Sequence, residues 1–121
     1  GEELDMDELI EDALDNPLLK GITFSGGDPL ERAEEFAYMA KAFKKAGLNI
    51  WCYTGYTFED VLEKMKKDNN IKDLIENIDV LVDGRFEKDK KVDGLKFKGS
   101  SNQRLIDVKK SLKSNCIIVL E

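Results

Sequence analysis

Gly21-Ile22-Thr23-Phe24-Ser25-Gly26-Gly27-Asp28-Pro29-Leu30-Glu31 is the stretch on which the fold turns. Its first four residues form a short, mostly apolar run, the pattern of a buried strand. Ser25-Gly26-Gly27 predicts a turn, because paired glycines relax the backbone where a strand must change direction. Asp28 before Pro29, with Glu31 three positions after Asp28, predicts a helix start. In that helix Ala33, Phe36, Ala37, Ala40 and Phe43 share one face. Its acids lie at the front, Lys41, Lys44 and Lys45 at the back, and Gly47 follows as a stop, all in keeping with the helix dipole.

Working outward, Leu4 to Leu14 carries Met6, Leu9, Ile10, Ala13 and Leu14 on one helical stripe, which Asn16-Pro17 closes. Leu48 to Tyr53 predicts a second strand, and Thr57 caps a helix carrying Val61, Leu62 and Met65. A short helical turn is expected around Leu74 and Ile75, then a third strand from Ile78 to Val82. Residues 87–98 are charged and show no period. Arg104 to Val108 and Cys116 to Leu120 predict two more strands around a lysine-rich helix. Strands alternating with helices imply an α/β domain with parallel strands buried on both faces and right-handed crossovers.

The 121 residues suffice for one domain with a core that needs no staple. No run of 18 apolar residues is present, and the acidic start differs from a secretory signal, so a cytoplasmic protein off the membrane is expected. A net charge of −6 argues against nucleic acid as a partner. Residues 1–35 hold twelve acids, whereas residues 85–113 hold ten bases. That asymmetry could orient a protein partner, although solvated faces account for it more simply. Histidine is absent, which removes the usual general base. The two cysteines, Cys52 and Cys116, sit in apolar runs and are expected to be buried. Two cysteines alone make no zinc site. No metal ligands and no catalytic side chains are therefore assigned.

Parallel strands place their C-terminal ends along one edge, where such folds bind ligands. The segments following the strands are Ser25-Gly26-Gly27-Asp28, Tyr53-Thr54-Gly55-Tyr56 and Asp83-Gly84-Arg85. Gly99-Ser100-Ser101-Asn102-Gln103 leads into a later strand. Glycines with a carboxylate, a guanidinium and hydroxyls suit a small polar ligand bearing both charges. Neither a P-loop nor a dinucleotide glycine pattern is present. Each element also has a simpler structural explanation, Asp28 as a helix cap and the glycine pairs as turns. Their recurrence at successive strand ends is what favours a site.

Gly21 to Leu30 resembles the segment with which radical S-adenosylmethionine enzymes hold the methionine ammonium, in the form seen in glycyl-radical activating enzymes. Tyr53 to Tyr56, Val80 to Phe86 and Gly99 to Arg104 are similar, in order, to segments of the activating enzymes that serve anaerobic ribonucleoside-triphosphate reductase. The resemblance covers nearly the whole chain. It implies a partial (βα)6 barrel, with residues 1–121 as a single truncated radical SAM core domain. It also implies S-adenosylmethionine as cofactor, and a [4Fe–4S] cluster in the parent protein. The partner would be anaerobic ribonucleoside-triphosphate reductase or another glycyl-radical enzyme. Ser25, Gly26, Gly27 and Asp28 would receive the ammonium end, Thr54 and Asp83 would face methionine and ribose, and Arg85 would balance the carboxylate. Ser100, Ser101, Asn102 and Gln103 would line the site or meet the partner.

The chain departs from the family at one place. The C-x3-C-x2-C loop that precedes the paired glycines is absent, as is the first strand. These residues alone are therefore expected neither to hold the cluster nor to cleave S-adenosylmethionine. Two alternatives stay open, a cluster-less S-adenosylmethionine-binding or docking module of this fold, and an unrelated α/β enzyme using Asp28 and Asp83 with a divalent metal.

Overall fold

The computed structural model of the chain describes residues 21–24, 28–85 and 102–120. Four strands, β1 (Gly21–Phe24), β2 (Asn49–Tyr53), β3 (Val80–Asp83) and β4 (Arg104–Asp107), form one sheet in that spatial order. A 3-10 turn at Pro29–Arg32 leads into α1 (Ala33–Lys45); α2 (Phe58–Lys67), α3 (Asn69–Glu76) and α4 (Val108–Ser114) follow. The helix expected from Leu4 to Leu14 and the turn at Ser25-Gly26-Gly27 lie outside the described residues.

The period-two alternation of the strands sorts their side chains between two faces. Phe24, Ile50, Cys52, Leu81 and Ile106 join Ala37, Ala40 and Phe43 of α1, Phe58 and Val61 of α2, and Ile71, Leu74 and Ile75 of α3 in the main core. Val80, Val82 and Leu105 cluster separately, with Trp51 and Tyr53 packed against them. The inward stripe expected for α1 holds, with Phe36 half-buried and Met39 added to the buried set.

Local chemistry explains the helix ends. The Asp28 carboxylate accepts from Leu30 N at 3.1 Å, and Thr57 Oγ1 accepts from Asp60 N at 3.2 Å, each starting its helix as the sequence implies. Gly47 stands at φ 84° after α1, and Leu48 N donates back to Phe43 O at 3.1 Å, the bond of a left-handed helix stop. The turn expected near Leu74 is an entire eight-residue helix. Its start lies in the polar stretch, where Asp68 Oδ1 accepts from Asn70 N and Ile71 N. A capping aspartate in a lysine- and asparagine-rich sequence resembles a loop until its hydrogen bonds are seen.

Two topological expectations are corrected. β1, β2 and β3 pair in parallel, but β4 pairs antiparallel to β3, with Val82 opposite Leu105 and Asp83 opposite Arg104. A parallel return needs a crossover, usually a helix. The sequence between Asp83 and Arg104 has no helical period to supply one. Cys116 to Leu120 is not a full strand; Val119 makes a single antiparallel bridge to Ile106, and Val119 and Leu120 are exposed. The described residues thus form an α/β unit with a four-stranded mixed sheet. Among them no helix is long and apolar enough to cross a membrane.

The two cysteines part company. Cys52 is buried in the core, whereas Cys116 is exposed, contrary to the expectation that both are inside. Burial, reinforced by the negative charge of Asp28, pushes the Cys52 thiol from its ordinary 9.0 up to about 12. The unfolded chain releases this proton at lower pH than the folded chain, so between those values the folded state binds more protons. Stability should therefore fall as pH rises from 9.0 towards about 12, by at most about 1.4 kcal/mol per pH unit for this group. Disulfide-exchange labelling of the native chain at pH 8 should modify Cys116 and reach Cys52 only in denaturant. Labelling of both at one rate in the native state would contradict this burial.

Candidate functional site

The parallel run of β1 to β3 gathers their C-terminal ends at one edge of the sheet. Because β4 runs the other way, its first residue, Arg104, lies at that same edge, opposite Asp83. Antiparallel pairing is what brings Asn102 and Gln103 to the site; a parallel β4 would have carried them to the far end.

After β1, the Asp28 carboxylate is the hub. Thr54 Oγ1 lies 2.9 and 3.0 Å from its two oxygens and donates to them, and Gly55 N donates to Oδ2 at 3.0 Å. Thr54 is buried, and its hydroxyl oxygen accepts from Tyr56 N at 3.2 Å. Thr54 N in turn donates to Val82 O at 3.1 Å, which ties the loop to β3. The Tyr56 hydroxyl bonds the Glu31 carboxylate, and that bond is the main reason its proton is held above the ordinary range. Lys64 Nζ stands 4.5 Å above the Tyr56 ring.

Gly55 lies between opposite charges. A Cβ built on it would sit 3.7 Å from Asp28 Oδ2 and 3.9 Å from Arg85 Nε. A carboxylate and an exposed guanidinium thus flank one bare stretch of backbone. The adjoining cleft, about 650 Å³, is lined by Gly55, Thr57, Gly84, Arg85, Asn102 and Arg104, among others.

Asp83 behaves differently from the other strand-end residues. It is only 1% exposed, and its carboxylate is fully engaged by protein groups. Phe58 N, at the start of α2, donates to Oδ2 at 2.8 Å; Arg104 donates from its backbone N at 3.1 Å and from its guanidinium to both oxygens. Arg104 Nη2 also reaches Glu59 Oε1 at 2.6 Å. The pairing with Asp83 first, and Glu59 second, holds the guanidinium proton even more tightly than usual. Glu59 is correspondingly held below the ordinary carboxylate range, chiefly by its bond to Arg104.

Of the residues singled out from sequence, Asp28, Thr54 and Arg85 are brought together around Gly55. Asp83 is buried and turned to Arg104, and Asn102 and Gln103 donate to the backbone of Arg85 and Gly84. Ser25, Gly26, Gly27, Ser100 and Ser101 lie outside the described residues. Sequence reasoning missed Arg104 altogether, because an arginine opening a strand carries no signal until its register partner is known. Gly55 was read within the strand-end segment Tyr53 to Tyr56, but not as the residue that separates the two charges.

The fit to metals is poor. No group of three or more Cys, Asp or Glu among the described residues could hold a metal ion, and Asp28 and Asp83 are not gathered into a magnesium site. An iron–sulfur cluster needs three or four thiolates. These 121 residues contain two cysteines, one of them buried with its thiol protonated. They do not fit the cluster.

Replacing Asp83 by alanine strands the Arg104 charge and Phe58 N. Asp83→Ala should cost about 3 kcal/mol in urea denaturation, and Asp83→Ala/Arg104→Met should regain most of it. A loss under about 1 kcal/mol for Asp83→Ala, the size of a surface pair, would contradict the buried-ion account.

Comparison with known proteins follows the same lines. The family model described as a 4Fe-4S single cluster domain matches residues 2–106. The chain is 33% identical over 102 residues to an anaerobic ribonucleoside-triphosphate reductase-activating protein of Pasteurella multocida, covering 79% of this chain and 61% of that one. The protein of that name from Enterobacteria phage T4 is 33% identical over 96 residues, covering 76% and 56%. The one from Escherichia coli K12 is 32% identical over 102 residues, covering 80% and 62%. The chain thus spans about three fifths of the length of the curated relatives it matches. No solved structure matches it significantly. With most of its length matched by that model, the chain belongs to the 4Fe-4S single cluster domain family and is similar to the anaerobic ribonucleoside-triphosphate reductase-activating proteins.

Proposed function

We propose that this chain is the S-adenosylmethionine-binding and reductase-facing part of a cytoplasmic radical SAM activase, which generates a glycyl radical on anaerobic ribonucleoside-triphosphate reductase. The observation that carries the ligand half is the pair of opposite charges around Gly55. Asp28 offers a carboxylate to an ammonium, and Arg85 offers a guanidinium to a carboxylate, a charge-assisted contact that lysine only partly reproduces. The two lie either side of a residue without a side chain, so the backbone leaves room for an α-amino acid group. Support for the partner comes from the relatives, whose names give anaerobic ribonucleoside-triphosphate reductase as what they activate.

Each residue has a definite task in this reading. Thr54 and Gly55 N fix the Asp28 carboxylate, together with Leu30 N, so that it meets the ligand already oriented. Ser25, Gly26 and Gly27 complete the ammonium end. Asp83, engaged by Arg104 and Phe58 N, fixes the start of α2 and the beginning of β4, and so the walls of the cleft it also lines. Reductive cleavage of the sulfonium belongs to the whole activase. No side chain of these 121 residues is assigned the electron-transfer step, since their cysteines do not fit the cluster.

Gly55→Ala tests the ligand half. The new methyl group would meet only ordinary van der Waals contacts, at 3.7 and 3.9 Å, so the fold should be preserved. It would nevertheless occupy the space between the charges. Calorimetric titration should show S-adenosylmethionine bound about tenfold or more weakly, the equivalent of one charged hydrogen bond, with the melting temperature nearly unchanged. Unaltered affinity in a folded Gly55→Ala chain would remove Gly55 and its two neighbours from the site.

A further inference from the structure

We propose that Asn102 and Gln103 are positioning residues for Arg85, acting on its backbone and not on the ligand. Gln103 Nε2 donates to Gly84 O at 3.0 Å, and Asn102 Nδ2 donates to Arg85 O at 2.8 Å. Two consecutive side-chain amides therefore hold two consecutive carbonyls across 17 and 19 residues of chain. Gln103 is buried, so its donor has no water to fall back on.

The held turn needs holding. Gly84 has φ 89°, a conformation open to glycine and strained for other residues, and glycine has more freedom to lose than any other residue. Gly84 N is fixed from the other side by Tyr56 O at 3.0 Å. A Cβ on Gly84 would lie 3.5 Å from Asn102 Nδ2, so the clamp packs directly on the turn. Tyr56 on the β2 side and Asn102 with Gln103 on the β4 side thus determine where the Arg85 backbone stands. The guanidinium reaches Gly55 from that anchored base. Without the two amides, Arg85 would carry the same charge on a looser stem, and a ligand carboxylate would have to order it on binding.

This inference rests on the reading of Arg85 as the carboxylate contact, and the experiment separates the two. Asn102→Leu and Gln103→Met keep roughly the side-chain size, remove the donors and add no charge. S-adenosylmethionine and its decarboxylated analogue are titrated separately into the 121-residue chain and followed by NMR. Each variant should lose about tenfold in affinity for S-adenosylmethionine, the scale of a charged hydrogen bond. Affinity for the decarboxylated analogue should stay within about twofold, the scatter of uncoupled sites. On an Arg85→Ala background the same substitutions should cost nothing further. Equal loss for both ligands, or full additivity with Arg85→Ala, would overturn the proposal.

A ligand-free signal completes the test. The Arg85 Nε–H resonance should shift and broaden in both variants, while the amides of Leu74 and Ile75 stay in place. An unmoved Arg85 resonance would overturn the positioning role whatever the ligand does. An Arg85→Ala chain that binds both ligands like the parent would overturn the carboxylate assignment of Arg85 and the ligand-selective half of this proposal. The resonance would still decide the positioning half.

Discussion

A carboxylate removed from water must be paid for by nearby donors, and Asp83 is the residue where this molecule meets that demand. Its donors come from three places, the guanidinium and backbone of Arg104 opening β4 and the backbone N of Phe58 opening α2. None of these groups is near Asp83 in sequence. The end of β3 is therefore the point through which a strand and a helix start are registered against each other. The helix dipole adds to the effect, since Phe58 N lies at the positive end of α2. Arg104 is shared with Glu59 of the same helix, so the ion group spans α2 as well as the sheet.

Asp28 repeats this arrangement at the end of β1, with a hydroxyl and two backbone amides in place of a guanidinium. The difference in partners separates the two carboxylates by role. Asp83 is neutralised by a cation and sunk into the fold; Asp28 has no cation among the hydrogen bonds described for it and lies next to the cleft. Arg85 provides the opposite charge across Gly55 without being consumed by an ion pair among the described residues. The two complementary charges, Asp28 and Arg85, thus stand on a foundation made of the second carboxylate, Asp83.

Much of this was legible in the sequence, and the physical reasons divide it cleanly. β1, the Asp28 cap, the α1 stripe, the Gly47 stop and the Thr57 cap were all readable, because each depends on residues within a few positions of one another. The direction of β4 was not, because it depends on pairing with β3 across a gap of twenty residues in which the sequence shows no period. The length of α3 was hidden because its cap, Asp68, sits among lysines and asparagines. The strand-end residues Asp28, Thr54 and Arg85 were singled out by their type and place, and the structure gathers them around Gly55. The burial of Asp83 under Arg104 could not be, since it depends on a pairing 21 residues apart. Cys116 misled for a related reason: its apolar run makes one bridge to Ile106 and packs Ile117 on the core, while Cys116, Val119 and Leu120 stay exposed.

These 121 residues belong to a 4Fe-4S family, yet their own residue set does not fit the cluster. They build a polar strand-end edge, where the proposed zwitterionic ligand would be held, and thiolates from elsewhere would be needed for electron transfer. The central claim is that the ligand lies at this edge. The most direct measurement is a proton–nitrogen amide map of the chain titrated with S-adenosylmethionine. The account predicts shifts concentrated at Thr54, Gly55, Gly84 and Arg85, with Lys64 to Lys67 unmoved. Shifts spread evenly over the chain, centred on α2 and α3, or absent at saturating ligand would contradict it.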